Sequence, residues 1–353
     1  MNHRTQTARP VYISRIGHAS ALGLSAAAAA QAQLAGNTNR SWRKLLGARY
    51  PWFALPLDER DWMARVRQAV GFVAAELSAG MPPADFAALP LFIGSSSFEA
   101  GAMEAYARHA LDLSLPVGDG NFIREIGAAL GNANTPWKFS TSCTSALAAL
   151  ETAYLLIGQG EIDAALTLGL EFANDTTCAG FAGLGLLAPT EDADGLMLGE
   201  AVAGLLLTAR PQPGWKISAC RLGIDGYSMT APTPDGSAIA ANLAAALSDA
   251  GLSARDIDLI KPHRVRVSGT DAAEEAALRQ IFASRRPPEI SFKRQLGHTL
   301  GASGAAELTA LLALLATPAG AARYHHPQRL LFSLIGFGGS TATLIVERAG
   351  DAT

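Results

Sequence analysis

The sequence predicts an α/β fold with helices packed over mainly parallel sheets, on three observations. Short apolar runs alternate with alanine- and leucine-rich stretches of helical length. Hydrophobic residues make up 49% of the chain and charged residues 17%, too few charges to keep so much apolar surface solvated in a disordered chain. At 353 residues the chain is long enough for two domains or one large duplicated one. In chain order, strands are expected at 11–16, 91–94, 164–169, 204–208, 257–260 and 343–346. Helices are expected at 61–79, 145–158, 237–250, 271–283 and 303–316. The helix at 145–158 is the clearest, because Leu147, Leu150, Tyr154 and Ile157 recur at helical spacing.

The start of the chain has the outline of a secretory leader, with Arg4 and Arg9 ahead of an alanine-rich stretch ending Ala-Gln-Ala-Gln. Arg15 and His18 break its apolar part, and residues 11–16 read as a strand entering a helix. Residues 308–316, the most apolar later run, fall far short of the roughly 20 a bilayer needs. A cytoplasmic protein without stable membrane insertion is therefore expected. The formal net charge of -3 offers no global field for nucleic acid or anionic lipid. Cys143, Cys178 and Cys220 form no Cys-x-x-Cys pair, which argues against a disulfide framework and against zinc.

The halves echo one another across the turn Arg210-Pro-Gln-Pro-Gly-Trp215. Ser142-Cys-Thr-Ser leads into an Ala/Leu helix in the first half, and Leu300-Gly-Ala-Ser-Gly leads into another in the second. Duplication would put both turns at equivalent ends of two sheet halves, where α/β proteins build their sites.

Three features could carry chemistry. Cys143 stands where the loop Phe139-Ser-Thr-Ser becomes a helix, and unpaired N–H groups and the dipole of a helix N-terminus lower a thiol pKa. Taken alone, the same residue reads as a small buried hydrophobe. The string Lys293-Arg-Gln-Leu-Gly-His298-Thr-Leu-Gly-Ala-Ser-Gly304 sets a lysine five residues before a histidine, then a glycine-rich turn that permits close backbone approach. Near the end, Gly336-Phe-Gly-Gly339 precedes a strand, a turn able to aim a backbone N–H at a reacting oxygen beside Phe337.

Together these segments resemble the β-ketoacyl synthases, condensing enzymes of the thiolase fold. The resemblance covers nearly the whole chain. It rests on Ser142-Cys143-Thr144-Ser145, Leu168-Gly-Leu-Glu171, Gly195-Leu-Met-Leu-Gly-Glu200, Asp225-Gly-Tyr-Ser-Met-Thr-Ala-Pro232, the 293–304 string and Gly336-Phe-Gly-Gly339, in the family's order. The family expects a first catalytic histidine, then an aspartate eight residues on and a glutamate eleven on; His263, Asp271 and Glu274 fit.

The resemblance implies two pseudo-duplicated halves, 1–210 with the nucleophile and 211–353 with the histidines and lysine, in a layered αβαβα sandwich. It implies a Cys143, His263, His298 triad beside Lys293, with backbone N–H groups of Cys143 and Phe337 as oxyanion hole and Phe337 as gate. Glu274, supported by Asp271, would hold Lys293 or nearby water. Val265, Val267, Thr230, Gly336 and Gly338 would line the substrate channel. The activity implied is decarboxylative condensation of an acyl-Cys143 thioester with malonyl carrier protein, as in fatty acid, polyene or polyketide biosynthesis. No metal or other cofactor is implied, the substrates riding on the phosphopantetheine of an acyl carrier protein. A homodimer, or a heterodimer with another ketosynthase, is the implied assembly.

Departures mark a divergent member. Arg264-Val265-Arg266-Val267 follows His263 where the family has glycines and threonines, so hydroxyls for the pantetheine arm are missing and two arginine side chains enter a stretch expected to line the channel. Ser228 stands where a histidine is frequent, and Ile335 replaces an aromatic beside the gate. A chain-length-factor-like subunit, which pairs with an active ketosynthase and condenses nothing, is the alternative. A degradative thiolase would need a second cysteine near the final glycine turn, where Ser340 stands, and an initiating ketosynthase an asparagine at His298.

Overall fold

Nine strands form one mixed sheet, and the residues on both its faces are apolar. The computed structural model describes residues 9–109, 121–283 and 285–350. Its strands are β1 (Val11–Ser20), β2 (Arg40–Leu45), β3 (Ala48–Phe53), β4 (Leu91–Gly94), β5 (Trp137–Phe139), β6 (Ala164–Glu171), β7 (Leu198–Gly199), β8 (Ala201–Thr208), β9 (Gly214–Ile224), β10 (Leu259–Lys261), β11 (Arg329–Ile335) and β12 (Ser340–Ala349). The large sheet runs β10-β11-β12-β9-β1-β8-β6-β4-β5, and β2-β3-β7 make a small second sheet.

The strand order repeats. From the first half, β5-β4-β6-β8-β1 lie side by side; from the second, β10-β11-β12-β9 follow the same rule, with Glu289 bridging Ile260 where β5 stands in the first set. The two sets meet where β1 pairs β9 over Val11–Ile13. The sheet is less parallel than the sequence suggests, because β8 and β12 return antiparallel to β6 and β11. For β12 the cause is local: a tight turn at 336–339 replaces a helical crossover, and only antiparallel strands can be joined that way.

Side chains alternate along each strand and so feed different cores. In β8, Val202 and Leu206 join a cluster with Val66, Val70 and Val73 of one helix and Ile126 of another, while Leu205 and Leu207 face the opposite way. In β11, Leu330, Phe332 and Leu334 face the middle and Leu331 and Ile335 the outside. The helices that fill these layers, among α1 (Ala26–Ala35), α2 (Trp62–Ser78), α3 (Pro83–Ala87), α4 (Ala100–His109), α5 (Asn121–Leu130), α6 (Ser145–Gln159), α7 (Asp175–Gly183), α8 (Ser237–Asp249), α9 (Ser268–Phe282), α10 (Lys293–Leu296), α11 (Ser303–Ala316) and α12 (Pro318–Arg323), follow from this. Helices α2 and α5 cover the first half, α8 and α9 cover the second, and α6 and α11 lie between the halves. The layering is αβαβα.

Helix α11 is buried on every side, as a helix packed between the two halves of the sheet must be. The 11–16 strand extends to Ser20 and is central in the sheet, and the alanine-rich stretch after it is a helix capped by Ser25. Arg4 of the leader reading lies outside the described residues. No helix among the described residues is long and apolar enough to cross a membrane.

Candidate active site

Four chain segments converge at the C-terminal ends of β5, β10 and β11, and between α10 and α11. Cys143 sits at a sharp elbow in which Ser142 takes a left-handed conformation, φ 54°. That conformation costs a non-glycine residue roughly 1–2 kcal/mol, and local hydrogen bonds hold it. Ser145 Oγ accepts from Thr141 N at 2.9 Å and donates to Ser142 O at 2.6 Å, while Ser340 Oγ donates to Thr141 O at 3.1 Å. The backbone N–H groups of Phe337 and of Cys143 itself face the sulfur. Gly336 makes this possible: a Cβ there would collide with Ser340 Oγ and stand 3.1 Å from Cys143 N.

The thiol does not behave as a helix N-terminus alone suggests. Burial pushes its pKa up to about 11, and the pull of Lys293 and the two N–H groups only partly offsets this. Desolvation of the buried thiolate outweighs the dipole.

His263 follows β10 and His298 follows α10, both buried, their rings edge to face with centroids 5.3 Å apart. His298 Nδ1 is 3.0 Å from Ser303 Oγ and 3.3 Å from Lys293 Nζ. An ammonium only donates, so Nδ1 accepts and the ring proton sits on Nε2. His263 Nδ1 is buried with no partner. Burial, reinforced by Lys293 and Lys261, holds both imidazoles well below their ordinary pKa, so both are neutral at pH 7.

Glu274 does not pair Lys293. Its carboxylate accepts the backbone N–H of His263 at 2.6 Å and of Arg264 at 3.0 Å. Asp271 does the same for Val265 at 2.9 Å and Arg266 at 3.1 Å. Two carboxylates of α9 thus clamp four successive N–H groups, which explains the offsets of eight and eleven. The clamp also holds Arg264 and Arg266 in left-handed conformations, φ 41° and 66°.

The arginine side chains do not enter the channel. Arg264 turns outward to Glu275 at 2.6 Å, and Arg266 donates to the carbonyls of Glu191 and Ala193 at 2.5 and 3.0 Å. Val265 and Val267 are what face the pocket, a cleft of about 550 Å³ that Cys143, both histidines, Thr230, Gly336 and Phe337 also line. Gly338 is not part of that lining; its N–H donates to Met229 O at 2.8 Å, tying the gate turn to the 225–232 loop. Phe337 packs on Phe181, ring centroids 5.4 Å apart.

The partner of Lys293 is Glu307, and Glu307 also binds Lys261; sequence reasoning assigned neither a role. The signal was present, since Glu307 is the lone charge in an apolar helix and such a charge needs a partner. Glu171 is a further anchor: it accepts from the backbone N–H of Ser96, Ser97 and Gly301 at 3.0, 3.1 and 2.9 Å, fastening the turn after His298 to the end of β4. Among the described residues, no cluster of three or more His, Cys, Asp or Glu side chains could hold a metal ion.

Comparison with known proteins gives the family and the fold. The model of the β-ketoacyl synthase N-terminal domain matches residues 78–212, and that of the C-terminal domain matches residues 216–324. The chain belongs to the β-ketoacyl synthase family. A 3-oxoacyl-[acyl-carrier-protein] synthase 2 of Mycobacterium leprae is 30% identical over 188 residues, 47% of this chain and 45% of its own length. That of Vibrio cholerae is 30% identical over 193 residues, 48% and 46% of the two chains. The match spans about half the length of each of these relatives.

Among solved structures, a ketosynthase in complex with its chain length factor from Xenorhabdus doucetiae aligns with a TM-score of 0.82 at 24% identity, covering 99% of this chain and 100% of the other. A β-ketoacyl synthase from Burkholderia phymatum aligns with a TM-score of 0.78 at 23% identity, covering 97% and 100%. These likenesses establish the thiolase-like ketosynthase fold.

Proposed function

We propose that this chain is a condensing enzyme of the β-ketoacyl-(acyl carrier protein) synthase type, acting in fatty acid, polyene or polyketide biosynthesis. The observation that carries the reading is the convergence of Cys143, His263 and His298 on one pocket, with both imidazoles neutral and two backbone N–H groups turned to the sulfur. The 1–210 half supplies the nucleophile and the 211–353 half the histidines.

Cys143 Sγ attacks the carbonyl of an acyl thioester carried on phosphopantetheine. The carrier's C–S bond breaks, and the thiol proton passes to the departing pantetheine sulfur, leaving an acyl-cysteine. Proton loss coupled to attack suits a thiol held up near 11. In the malonyl-carrier thioester the bond to the carboxylate then breaks and carbon dioxide leaves. The electron pair becomes an enolate whose oxygen takes hydrogen bonds from His263 and His298. Its carbon attacks the acyl-Cys143 carbonyl, the tetrahedral oxyanion rests on the N–H groups of Cys143 and Phe337, and the thiolate is expelled. Every step uses side chains and backbone of this chain; the reading calls for no metal or cofactor of its own.

An acyl carrier protein is the proposed partner. The chain is further read as a cytoplasmic dimer, with itself or with another ketosynthase. Strand β5 ends the large sheet and its Trp137 is 63% exposed, an edge suited to pairing with a second subunit. The Xenorhabdus doucetiae pair of ketosynthase and chain length factor is a precedent for the mixed assembly. The chain-length-factor-like reading draws its support from Val265 and Val267, which put hydrocarbon where pantetheine amides would meet hydroxyls.

Intact-protein mass spectrometry after incubation with an acyl-carrier thioester separates the two, run beside Cys143→Ala. A mass gain of one acyl group that the variant loses supports the enzyme. No gain, alone or with a partner ketosynthase, supports the non-condensing subunit.

A further inference from the structure

Glu307 is a buried carboxylate shared by two buried lysines. Lys293 binds its Oε1 and Lys261 its Oε2, and all three side chains are at most 4% exposed. Lys261 ends β10, two residues before His263, with its ammonium 5.7 Å from the centre of the Phe332 ring. One lysine would suffice to pair Glu307. A second, which Glu274 also attracts, adds one more buried charge to the core, where charge is expensive and an aliphatic side chain would cost less. Something other than stability accounts for it.

The geometry indicates what. Lys293 Nζ is engaged by Glu307 and is also 3.3 Å from His298 Nδ1 and 3.4 Å from Ser303 Oγ. It can be shared in this way because only one carboxylate oxygen is available to it. With Lys261 gone, both oxygens of Glu307 would face Lys293 and draw its ammonium off the imidazole. Ser303 would then be the remaining neighbour of Nδ1, and its hydroxyl can donate to Nδ1 of the Nε2–H tautomer or accept from the Nδ1–H tautomer, so it fixes neither.

We infer that Lys261 is a positioning residue: by occupying one oxygen of Glu307 it keeps Lys293 on His298 Nδ1 and so fixes the tautomer whose Nε2–H points into the pocket. This inference rests on the condensing reading for its catalytic consequence, and on geometry alone for the tautomer. The ionisable groups around the cluster are Glu274 from α9, Glu307 from α11, Lys293 from α10, and His263 and His298 from their loops; Cys143 and Glu171 feel it at longer range.

The test is nitrogen NMR of the imidazoles in the ¹⁵N-histidine-labelled full chain, with the His298 signals assigned by their loss in His298→Gln. Wild type is expected to hold His298 as the Nε2–H tautomer at pH 7.5. Lys261→Met is expected to give a mixture of tautomers, and Lys261→Arg to restore the wild-type pattern. In the decarboxylation of malonyl-carrier protein, Lys261→Met should lower kcat roughly tenfold with KM little changed, since only part of the population carries the donor. Circular dichroism establishes that each variant is folded; if the methionine variant is not, Lys261→Gln takes its place.

A folded Lys261→Met or Lys261→Gln with His298 still wholly in the Nε2–H form would overturn the inference. The NMR readout needs no substrate. A wild-type chain that never loads an acyl group would sink the condensing reading while leaving the tautomer result standing.

Discussion

The carboxylate of Glu274 and the backbone of His263 are joined at 2.6 Å, so the first histidine of the site is held by its main chain, not by its ring. The ring nitrogen Nδ1 has no partner at all. The position of this imidazole therefore depends on the loop, and the loop depends on α9.

Glu274→Gln keeps the shape but sets an amide NH₂ against one of the two backbone donors. Leaving one buried N–H unpaired costs about 1–3 kcal/mol, and denaturant unfolding should show a loss of that size. Because the loop carries His263, condensation should fall more steeply than Cys143 labelling by iodoacetamide. Equal loss of both would mean that Glu274 supports the whole site and not this histidine.

Gly336→Ala tests the proposed oxyanion hole. The new Cβ would collide with Ser340 Oγ and crowd Cys143 N at 3.1 Å. Shifting the turn moves the Phe337 N–H, and loss of one oxyanion donor typically costs about 10²–10³ in kcat. The acyl-enzyme should form and turn over slowly, with fold and KM little altered. Wild-type kcat in this variant would refute the placement of the hole.

How much of this could be read from the chain depends on whether the signal was local. Helix α11 was legible to the residue, 303–316, because serine opens the run and a proline follows its end. The β2–β3 hairpin was not. Its strands lack alternation, and they are held by Arg43 over Trp52 at 5.3 Å and Arg49 over Trp42 at 5.5 Å, contacts that pattern reading does not see. Strand β9 went unread because it mixes buried and half-buried positions around Lys216, Ser218 and Arg221. Cys143 and His298 announced themselves through their turns, whereas His263 was legible only through the family pattern. The shift of the Cys143 thiol ran against its local signal, because burial is a property of the whole fold.

The buried histidines give the protein an acid-sensitive stability. His18, held between Thr309 Oγ1 at 2.8 Å and Ser20 Oγ at 2.7 Å, has its pKa lowered by burial from 6.5 to about 4. The unfolded chain then takes up a proton below pH 6.5 that the folded one refuses, so this contribution is complete above 6.5 and is lost as the pH falls toward 4. The full loss is about 3 kcal/mol. Glu171 and Glu274, whose pKa values burial raises, act in the opposite direction as the pH falls. The readout is therefore the difference between wild type and His18→Gln in urea unfolding at pH 7.5 and 4.5: the variant should lose less stability on acidification. Parallel slopes would place the proton uptake elsewhere.

The last prediction concerns the channel. Val265 and Val267 face the pocket on the side opposite the arginines, so Arg264 and Arg266 can be left in place while the wall is changed. Valine and threonine have nearly the same shape, and the exchange adds one hydroxyl able to meet a pantetheine amide. At Val265, 5% exposed, an unsatisfied hydroxyl in the free protein costs about 1–3 kcal/mol of stability; at the more open Val267 the cost is smaller. A hydrogen bond formed only with the bound arm contributes roughly 0.5–1.5 kcal/mol, a few-fold in affinity. If the chain condenses carrier-bound substrates, Val267→Thr should lower KM for malonyl-carrier protein several-fold with kcat unchanged, and Val265→Thr should add to it at some expense in stability. If KM does not move in either variant, the arm does not pass along this wall. If KM falls but no condensation product forms, the apolar wall was not what limited the chemistry, and the non-condensing role would gain at the expense of the enzyme.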